Sequence, residues 1–237
     1  MNDLTLMDCI AIIPARGGSK RLPKKNLLPL IDKPLIRWTI DEAKESGIFE
    51  RIIVTSDDEE ILEISKQSGV DFVKRPTEIS TDISTTYEAI LHLLECQKKN
   101  NLFPSHFVVL QPTSPLRTAE DIKNAYKEFI NSKADSLISV CITEHSPLWS
   151  NTLNETLSMD HFLDKNILNV RSQDLPTYYR INGAIYMAKT QSYVNHKGFF
   201  MPNSRAFIMP QERSIDIDSL LDFQIVETIL RHENLII

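Results

Sequence analysis

The sequence lacks two features that would place the protein on a nucleic acid or in a membrane. Lysine and arginine total 26 against 32 aspartate and glutamate residues, so the formal net charge is −6. A nucleic-acid binder needs a broad basic surface, and we expect no such partner here. No apolar stretch approaches the roughly 20 residues of a membrane-spanning helix. The opening MNDLTLMD has no basic region followed by a long apolar core, so we expect neither a membrane association nor a signal peptide.

Cysteine is scarce, and the common nucleotide-binding fingerprints are missing. Cys9, Cys96 and Cys141 are far apart and form no pair with metal-ligand spacing. We interpret them as reduced packing residues of a cytoplasmic protein. Neither G-x-x-x-x-G-K-[ST] nor G-x-G-x-x-G occurs, which disfavours a P-loop protein and a Rossmann-type oxidoreductase. The 237 residues suffice for one α/β domain that carries an insertion.

The most informative stretch is a positively charged, glycine-bearing loop near the N-terminus. Cys9–Ile13 is an apolar run, typical of a strand that is buried on both faces of a parallel sheet. The loop that follows ends at Asn26, and Gly17 and Gly18 allow its backbone amides to turn toward an anion. Its cations are Arg16, Lys20, Arg21, Lys24 and Lys25. Because open α/β sheets bind ligands at the carboxyl ends of their strands, this loop predicts a polyphosphate site.

Strand-like and helix-like segments alternate from this loop to Val140. The predicted strands are Arg51–Thr55, Val70–Lys74, His106–Leu110 and Ser136–Val140. The predicted helices are Pro34–Ser46, Glu59–Gln67, Thr85–Lys98 and Thr118–Ser132. The alternation predicts an α/β fold class with right-handed crossovers and a mostly parallel sheet. The loops after successive strands should then bring Arg16–Asn26, Arg75 and Gln111–Arg117 to a common crevice.

The alternation stops after Val140, where polar turns and strand-like runs replace it. We interpret 143–205 as an inserted arm, and 1–142 together with 206–237 as one nucleotide-binding domain. The remaining predicted elements are strands at Tyr178–Met187, Ala206–Met209 and Ser214–Asp218, and a terminal helix at Leu220–His232.

Two carboxylates near the C-terminus are the second informative feature. Asp216 and Asp218 are two residues apart, so in an extended segment their side chains share one face while Ile215 and Ile217 point to the other. Such a pair close to bound phosphates could hold Mg²⁺, which takes ligands from carboxylates, phosphates and water. The alternative is that Asp218 caps the terminal helix.

Five motifs occur in order along nearly the whole chain. They are IPARGGSKRLPKKN at 13–26, RPTEISTD at 75–82, QPTSPLR at 111–117, RINGAIY at 180–186 and SIDID at 214–218. In this order they resemble the motifs of the acylneuraminate (CMP-sialic acid) cytidylyltransferases. The resemblance implies a Rossmann-like three-layer nucleotide-diphospho-sugar transferase fold, with a dimerisation arm that reaches over the partner's active site in a homodimer. It also implies Mg²⁺-assisted transfer of CMP from CTP to the anomeric hydroxyl of a nine-carbon 2-keto sugar acid, with release of pyrophosphate.

The same resemblance implies a role for individual residues. The implied nucleotide ligands are Arg16, Gly17, Ser19 and Lys25 at the triphosphate and Asn26, Arg75 and Thr86 at the cytidine. The implied sugar-acid contacts are Gln111, Ser114, Arg117, Arg180, Tyr186, Phe199 and Phe200. Asp216 and Asp218 are the implied Mg²⁺ ligands, and with Arg16 and Lys25 they form the implied catalytic set. The chemistry would depend on positioning and charge, without a histidine base.

One position bears on the acceptor. Trp149 stands where some sialic-acid enzymes carry a basic residue, and an indole offers apolar surface in place of a hydrogen-bond donor for a polyhydroxylated tail. We therefore expect a bacterial sialic-acid analogue of the N,N'-diacetyllegionaminic type. Two alternatives stay open: a 3-deoxy-octulosonate (KDO) cytidylyltransferase, and a non-catalytic protein that binds CTP or a nucleotide sugar.

Overall fold

A seven-stranded sheet forms the centre of the computed structural model, which describes residues 9–81 and 83–233. Within these ranges the strands are β1 (Cys9–Pro14), β2 (Pro29–Leu30), β3 (Lys33–Pro34), β4 (Arg51–Ser56), β5 (Asp71–Lys74), β6 (His106–Val109), β7 (Ser136–Ile142), β8 (Tyr179–Lys189) and β9 (Ser204–Ile208). The helices are α1 (Leu35–Ser46), α2 (Glu59–Gln67), α3 (Thr86–Lys99), α4 (Ala119–Asn131), α5 (Thr190–His196) and α6 (Leu220–Glu233). The predicted α/β alternation up to Val140 is confirmed.

The sheet is parallel except for one strand. Its order is β5-β4-β1-β6-β8-β7-β9, and β8 runs antiparallel to both of its neighbours. β1 lies between β4 and β6, with Ile12 opposite Ile53 on one side and Val109 on the other. The carboxyl ends of β1, β4, β5 and β6 therefore meet at one edge, as the sequence predicts.

Both faces of the sheet are covered, which explains why β1 reads as an unbroken apolar run. Cys9, Ala11 and Ile13 pack on the side of α1, α2 and α4. Ile10 and Ile12 pack on the opposite side, against α3 and α5. Each of these side chains is almost fully buried. Both faces of the strand are therefore apolar, and no polar residues alternate with the apolar ones. The result is a three-layer α/β/α arrangement.

The segment 143–205, which the sequence predicts as one inserted arm, consists of two different parts: one lies outside the sheet and the other contributes to it. The strand predicted at Tyr178–Met187 is confirmed, but β8 lies inside the main sheet between β6 and β7 and not in an arm. The short helix α5, which was not predicted, packs against the same sheet through Tyr193. Residues 143–178 lie outside the sheet and consist of turns with two short 3-10 turns. The second half of β8 is apolar throughout because both of its faces are buried. A strand of this kind lacks the alternation of apolar and polar residues that indicates a strand with one buried face.

One predicted strand is wrong. Ser214–Asp218 forms no strand and connects a 3-10 turn at Gln211–Arg213 to α6. The alternation that suggested a strand has another cause, because Ile215 and Ile217 pack into a cluster with Leu22 and Val226. This cluster joins α6, the charged loop after β1 and the segment Ser214–Asp218, which is called the acidic segment below.

An ion pair between Asp121 and Arg213 connects α4 to the 3-10 turn at Gln211–Arg213. The Asp121 carboxylate accepts hydrogen bonds from the Thr118 backbone N–H at 3.1 Å and from Arg213 Nε and Nη2 at 2.9 and 2.8 Å. Burial by itself raises the pKa of Asp121, but the hydrogen bonds from Arg213 and Thr118 outweigh it and lower the pKa below the usual value. The ionised carboxylate therefore stabilises the folded chain.

Asp121→Ala should lower the free energy of unfolding at pH 7 by about 2 kcal/mol, because it removes a buried carboxylate that accepts charge-assisted hydrogen bonds from Arg213 and a backbone hydrogen bond at the start of α4. A carboxyl with a lowered folded pKa stabilises the chain above its unfolded pKa of about 3.9, and the effect is lost as the pH falls through the folded value. Urea denaturation at a series of pH values should therefore show the difference from wild type shrinking toward acid. Glu120→Ala, at an exposed neighbouring carboxylate, should cost less than about 0.5 kcal/mol throughout. A difference that does not change with pH would contradict this account.

Candidate functional site

A cleft of about 570 Å³ opens at the carboxyl edge of the sheet. Its walls come from the loop after β1, the segment between β5 and α3, the loop after β6 and the segment before α6. The predicted site residues that line it are Arg16, Ser19, Lys25, Asn26, Arg75, Thr86, Gln111, Asp216 and Asp218. Residues far apart in the sequence are thus brought together at one end of the parallel strands.

Several lining residues were not singled out from the sequence as ligand contacts. They are Pro14, Ile79, Thr81, Ser84 and Thr85. Lys20, Arg21, Pro112 and Thr113 also line the cleft, as members of the loops Arg16–Asn26 and Gln111–Arg117 that the sequence predicts to face it. The signal for the hydroxyl-bearing members was the run of serine and threonine between Ser80 and Thr86. These hydroxyls give the cleft donors and acceptors without further charge.

Seven predicted site residues do not line the cleft. They are Gly17, Ser114, Arg117, Arg180, Tyr186, Phe199 and Phe200. Phe200 is exposed, whereas Phe199 packs against the Tyr186 ring with 5.1 Å between ring centroids. Arg180 is bound by Glu144 through two hydrogen bonds of 3.1 and 2.7 Å. Within one chain these residues therefore lie outside the cleft that the charged loop lines.

Arg117 supports the cleft from behind. Its guanidinium donates to the carbonyl oxygens of Gln111 at 3.2 Å and Ala184 at 2.9 Å, and to the Thr39 hydroxyl at 2.8 Å. The side chain is fully buried, and burial lowers its pKa to about 10. Arg117 thus ties the loop after β6 to α1 and β8, and its contribution to the site passes through the position of Gln111.

The backbone conformation at Gly183 explains why the RINGAIY motif has a glycine at this position. Its backbone φ is +75°, and a Cβ atom there would lie 2.8 Å from Gln111 Oε1. Any other residue would be strained by the backbone and would displace the Gln111 side chain. The motif therefore shapes the cleft at Gln111 without contributing a side chain at this position.

The charged loop is bound to the acidic segment by ion pairs. Lys25 Nζ lies 3.0 Å from Asp218 Oδ1 and donates to the Ile217 carbonyl at 2.5 Å. Arg21 Nη1 contacts the other oxygen of Asp218 at 3.0 Å. Asp218 is half exposed, whereas the Lys25 side chain is mostly buried. The cations that line the cleft are in this way partly neutralised by the chain's own carboxylate.

Asp216 has a different environment. Its Oδ1 atom is buried and has no hydrogen-bond partner. Burial raises the pKa of Asp216, the Thr113 hydrogen bond opposes this, and the charge of Asp218 adds to the increase. A buried carboxylate oxygen without a donor is costly to the folded chain, which is typical of a group that binds a ligand.

Two features are absent from the described part of the chain. No group of three or more histidine, cysteine, aspartate or glutamate side chains is arranged to hold a metal ion. No helix within residues 9–81 and 83–233 has the length and apolar character needed to cross a membrane.

A family model described as cytidylyltransferase matches residues 10–233. The chain belongs to this family. The match extends from β1 to α6, and it confirms the family that the five motifs indicate. The relatives described next are named as cytidylyltransferases or as a CMP-sugar-acid synthase, which are nucleotidyltransferases.

Three curated relatives cover almost the whole chain. An N-acylneuraminate cytidylyltransferase from Escherichia coli O18:K1:H7 is 39% identical over 95% of this chain, which spans only 52% of that relative. A pseudaminic acid cytidylyltransferase from Campylobacter jejuni strain 81-176 is 34% identical, with 96% of this chain and 99% of the relative covered. A CMP-N,N'-diacetyllegionaminic acid synthase from Legionella pneumophila is 32% identical, with coverage of 94% and 97%.

Solved structures of low identity share the fold. A CMP:2-keto-3-deoxy-manno-octonic acid synthetase complexed with CTP superimposes with a TM-score of 0.71 at 18% identity, over 95% of this chain and 99% of that chain. A cytidylyltransferase from Leptospira borgpetersenii gives a TM-score of 0.59 at 17% identity, over 95% of this chain and 87% of that chain. These likenesses confirm the Rossmann-like α/β fold.

Asp216→Asn should stabilise the protein in the absence of ligands, because the amide keeps the shape of the side chain and removes a buried charge. A gain of about 1 kcal/mol corresponds to an increase of about 2–4 °C in Tm for a chain of this size. Asp218→Asn is the matched variant, and it should lower Tm or leave it unchanged because it breaks the contacts to Lys25 and Arg21. Differential scanning calorimetry measures both, and a lower Tm for Asp216→Asn would contradict the account of its burial.

Proposed function

We propose that this protein transfers CMP from CTP to the anomeric hydroxyl of a nine-carbon 2-keto sugar acid and releases pyrophosphate. The observation that carries the proposal is the charge arrangement of the cleft, where the cations of the β1 loop and Arg75 share one cavity with Asp216 and Asp218. Family membership supports the CTP-dependent chemistry. The names of the relatives, which specify N-acylneuraminate, pseudaminic acid and diacetyllegionaminic acid, support the class of acceptor.

The nucleotide would lie along the loop after β1. In this proposal Arg16, Ser19 and Lys25 contact the triphosphate, and Asn26 with Arg75 and Thr86 contacts the cytidine. The Asn26 amide donates to the Arg16 carbonyl at 3.0 Å, while its own oxygen is buried without a partner. A buried acceptor in the cleft lining is a suitable contact for a base with an exocyclic amino group.

The reaction needs charge stabilisation more than proton transfer. The acceptor hydroxyl loses its proton to solvent, and its oxygen forms a bond to the α-phosphorus while the bond from that phosphorus to pyrophosphate breaks. Negative charge then accumulates on the leaving group, and Lys25 is suited to it because its ammonium group is mostly removed from water. Binding of the triphosphate would draw Lys25 from Asp218 toward the phosphate oxygens. A cation held in advance at this position lowers the barrier without reorganisation during the reaction.

The acidic segment fits a Mg²⁺ ion in this proposal. Asp216 offers a buried oxygen without a hydrogen-bond partner, and Asp218 becomes available when Lys25 turns to the phosphates. Two carboxylates with water and phosphate oxygens form the ligand set that Mg²⁺ prefers at nucleotide sites. When bound, the ion would polarise the α-phosphate and lower the pKa of the attacking hydroxyl.

The acceptor would enter beside the loop after β6. Gln111 lines the cleft, and Ser114 and Arg117 would act through the shape of this loop. Tyr186 is half-buried, and burial first and the charge of Asp216 second raise the pKa of its hydroxyl. We propose a sialic-acid analogue of the N,N'-diacetyllegionaminic type, on the ground of the partly buried Trp149 in the segment 143–178.

The proposal is tested by pyrophosphate release from CTP and Mg²⁺ with separate acceptors. These are N-acetylneuraminate, N,N'-diacetyllegionaminate, pseudaminate and KDO. We expect release with a nine-carbon acid and its loss when EDTA removes the metal. Release with KDO alone would favour the octulosonate alternative, and CTP binding without release from any acceptor would favour the non-catalytic one.

Two neighbouring lysines provide the control for this assay. Lys25→Ala should lower kcat/KM at least about 100-fold, the usual cost of removing one electrostatic contact to the developing charge. Lys24 does not line the cleft and contacts Glu60 at 3.1 Å, so Lys24→Ala should leave kcat/KM within about twofold. Equal effects of the two variants would mean that the chemistry does not take place in this cleft.

We also propose a homodimer. Ile142, Tyr179, Ile181 and Ile208 are each about half exposed at the ends of three adjacent strands, β8, β7 and β9. The register places Ile142 opposite Tyr179, and both Ile181 and Ile208 opposite Val140. Residues opposite each other or two apart share one face of a sheet, so these side chains form a single apolar patch. Such a patch supports contact with a second copy of the chain.

Ile181→Asp should convert the proposed dimer to a monomer, because it introduces a charge at the centre of the patch. Size-exclusion chromatography with light scattering measures the mass. Phe72→Asp is the matched control, since Phe72 is exposed to the same extent, 46% against 47%, but lies on β5 at the opposite edge of the sheet. A wild-type monomer, or dissociation by both variants, would contradict the proposed interface.

A further inference from the structure

One carboxylate touches the loops of two neighbouring strands at the edge of the cleft. Asp57 follows β4, which lies between β5 and β1 in the sheet. Its Oδ1 atom accepts the Gly17 backbone N–H at 3.1 Å and lies 3.5 Å from Arg75 Nη2. Gly17 belongs to the loop after β1, and Arg75 directly follows β5. A single oxygen atom therefore connects the carboxyl ends of three adjacent parallel strands.

The adjacent carboxylate has a different role. Asp58 caps α2, and its Oδ1 atom accepts the backbone N–H groups of Glu60 and Ile61 at 2.9 and 3.3 Å. It also fills the space beside Gly17, where a Cβ atom would lie 2.5 Å from Asp58 Oδ2. Asp57 is thus available for contacts between loops because its neighbour provides the helix cap.

The guanidinium of Arg75 needs a negatively charged partner. It is buried, and burial lowers the pKa of its guanidinium, an effect that the charge of Asp57 opposes and the charge of Arg16 reinforces. A second contact comes from Ser80, whose hydroxyl accepts the Arg75 Nε–H at 2.9 Å. A buried cation is stable only with a counter-charge and good hydrogen bonds. Asp57 supplies the counter-charge and leaves the cleft side of Arg75 to a ligand.

We propose that Asp57 is a positioning residue for the nucleotide, an inference that rests on the proposed function. Asp57 does not line the cleft, so it acts through the Gly17 loop and Arg75. By fixing both before CTP arrives, it reduces the ordering that binding requires. An interaction of this kind affects the ground state and the transition state alike, so its loss raises KM for CTP and leaves kcat nearly unchanged.

The experiment compares two aspartates that bridge the same pair of strands at opposite ends. Asp57→Asn keeps an acceptor for Gly17 and removes the charge beside Arg75. Asp71→Asn removes an Arg–Asp pair of 2.7 Å to Arg51 at the amino ends of β4 and β5, far from the cleft. We expect Asp57→Asn to raise the Kd and KM for CTP about tenfold, with kcat and the acceptor KM within about twofold of wild type. Asp71→Asn should leave all of these values unchanged.

A double variant tests whether the effect passes through Arg75. Asp57→Asn added to Arg75→Met should raise the Kd for CTP by less than about twofold beyond Arg75→Met alone, because coupled contacts are not additive. If Asp57→Asn does not fold, Ser80→Ala removes the other side-chain contact to Arg75 and should raise the same Kd about threefold. Titration calorimetry with CTP and Mg²⁺ gives these values independently of turnover.

The outcomes separate the two proposals. A Kd for CTP in Asp57→Asn within twofold of wild type, or an equal change in Asp71→Asn, overturns the positioning role. Wild-type protein that binds CTP without turnover overturns the proposed reaction, while a tenfold weaker Kd in Asp57→Asn still supports the positioning role. Wild-type protein that does not bind CTP overturns both.

Discussion

The structure depends on how the chain holds several like charges close together at one end of a sheet. Arg16, Lys20, Arg21, Lys25 and Arg75 line the same cleft. Their repulsion is reduced by carboxylates that come from other parts of the chain, with Asp218 between Lys25 and Arg21 and Asp57 beside Arg75. The cluster that contains Ile217 in turn attaches the acidic segment to the core. The cations are therefore fixed in advance by charge and by packing together.

Asp218 and Asp57 differ in how easily a ligand could replace them as partners of the cations. Asp218 is 52% exposed, whereas Asp57 is 24% exposed. Because the Asp218 carboxylate is half exposed, its pairs with Arg21 and Lys25 are accessible from the cleft, and in the proposed function phosphate oxygens would replace it at Lys25. The Asp57 contacts involve a buried guanidinium and a backbone N–H, and a ligand gains nothing by replacing them. In the proposed function, Asp218 would exchange partners when CTP binds, while Asp57 would keep the loops in place.

Much of the fold follows from local patterns in the sequence. Cys9–Ile13 is predictable because a strand covered on both faces is apolar throughout, and the parallel topology then brings the strand ends together. The patterns are ambiguous where burial has another cause. Ser214–Asp218 alternates like a strand because Ile215 and Ile217 pack under a connection, and β8 belongs to the sheet although polar turns precede it. In the sequence Asp57 and Asp58 stand side by side before α2 and either could cap it, and only the three-dimensional neighbours Gly17 and Arg75 distinguish the two.

Motif residues also divide by what they touch. Lys25 and Gln111 line the cleft, whereas Arg117 of the QPTSPLR motif is buried and binds the Gln111 carbonyl from behind. Gly183 of RINGAIY leaves space for the same Gln111 side chain. A motif therefore includes residues that build a loop together with residues that a ligand contacts, and spacing alone does not separate them. Arg117 fixes the Gln111 backbone through its carbonyl oxygen, and Gly183 leaves the space that the Gln111 side chain occupies, so both residues act on the cleft through the position of Gln111.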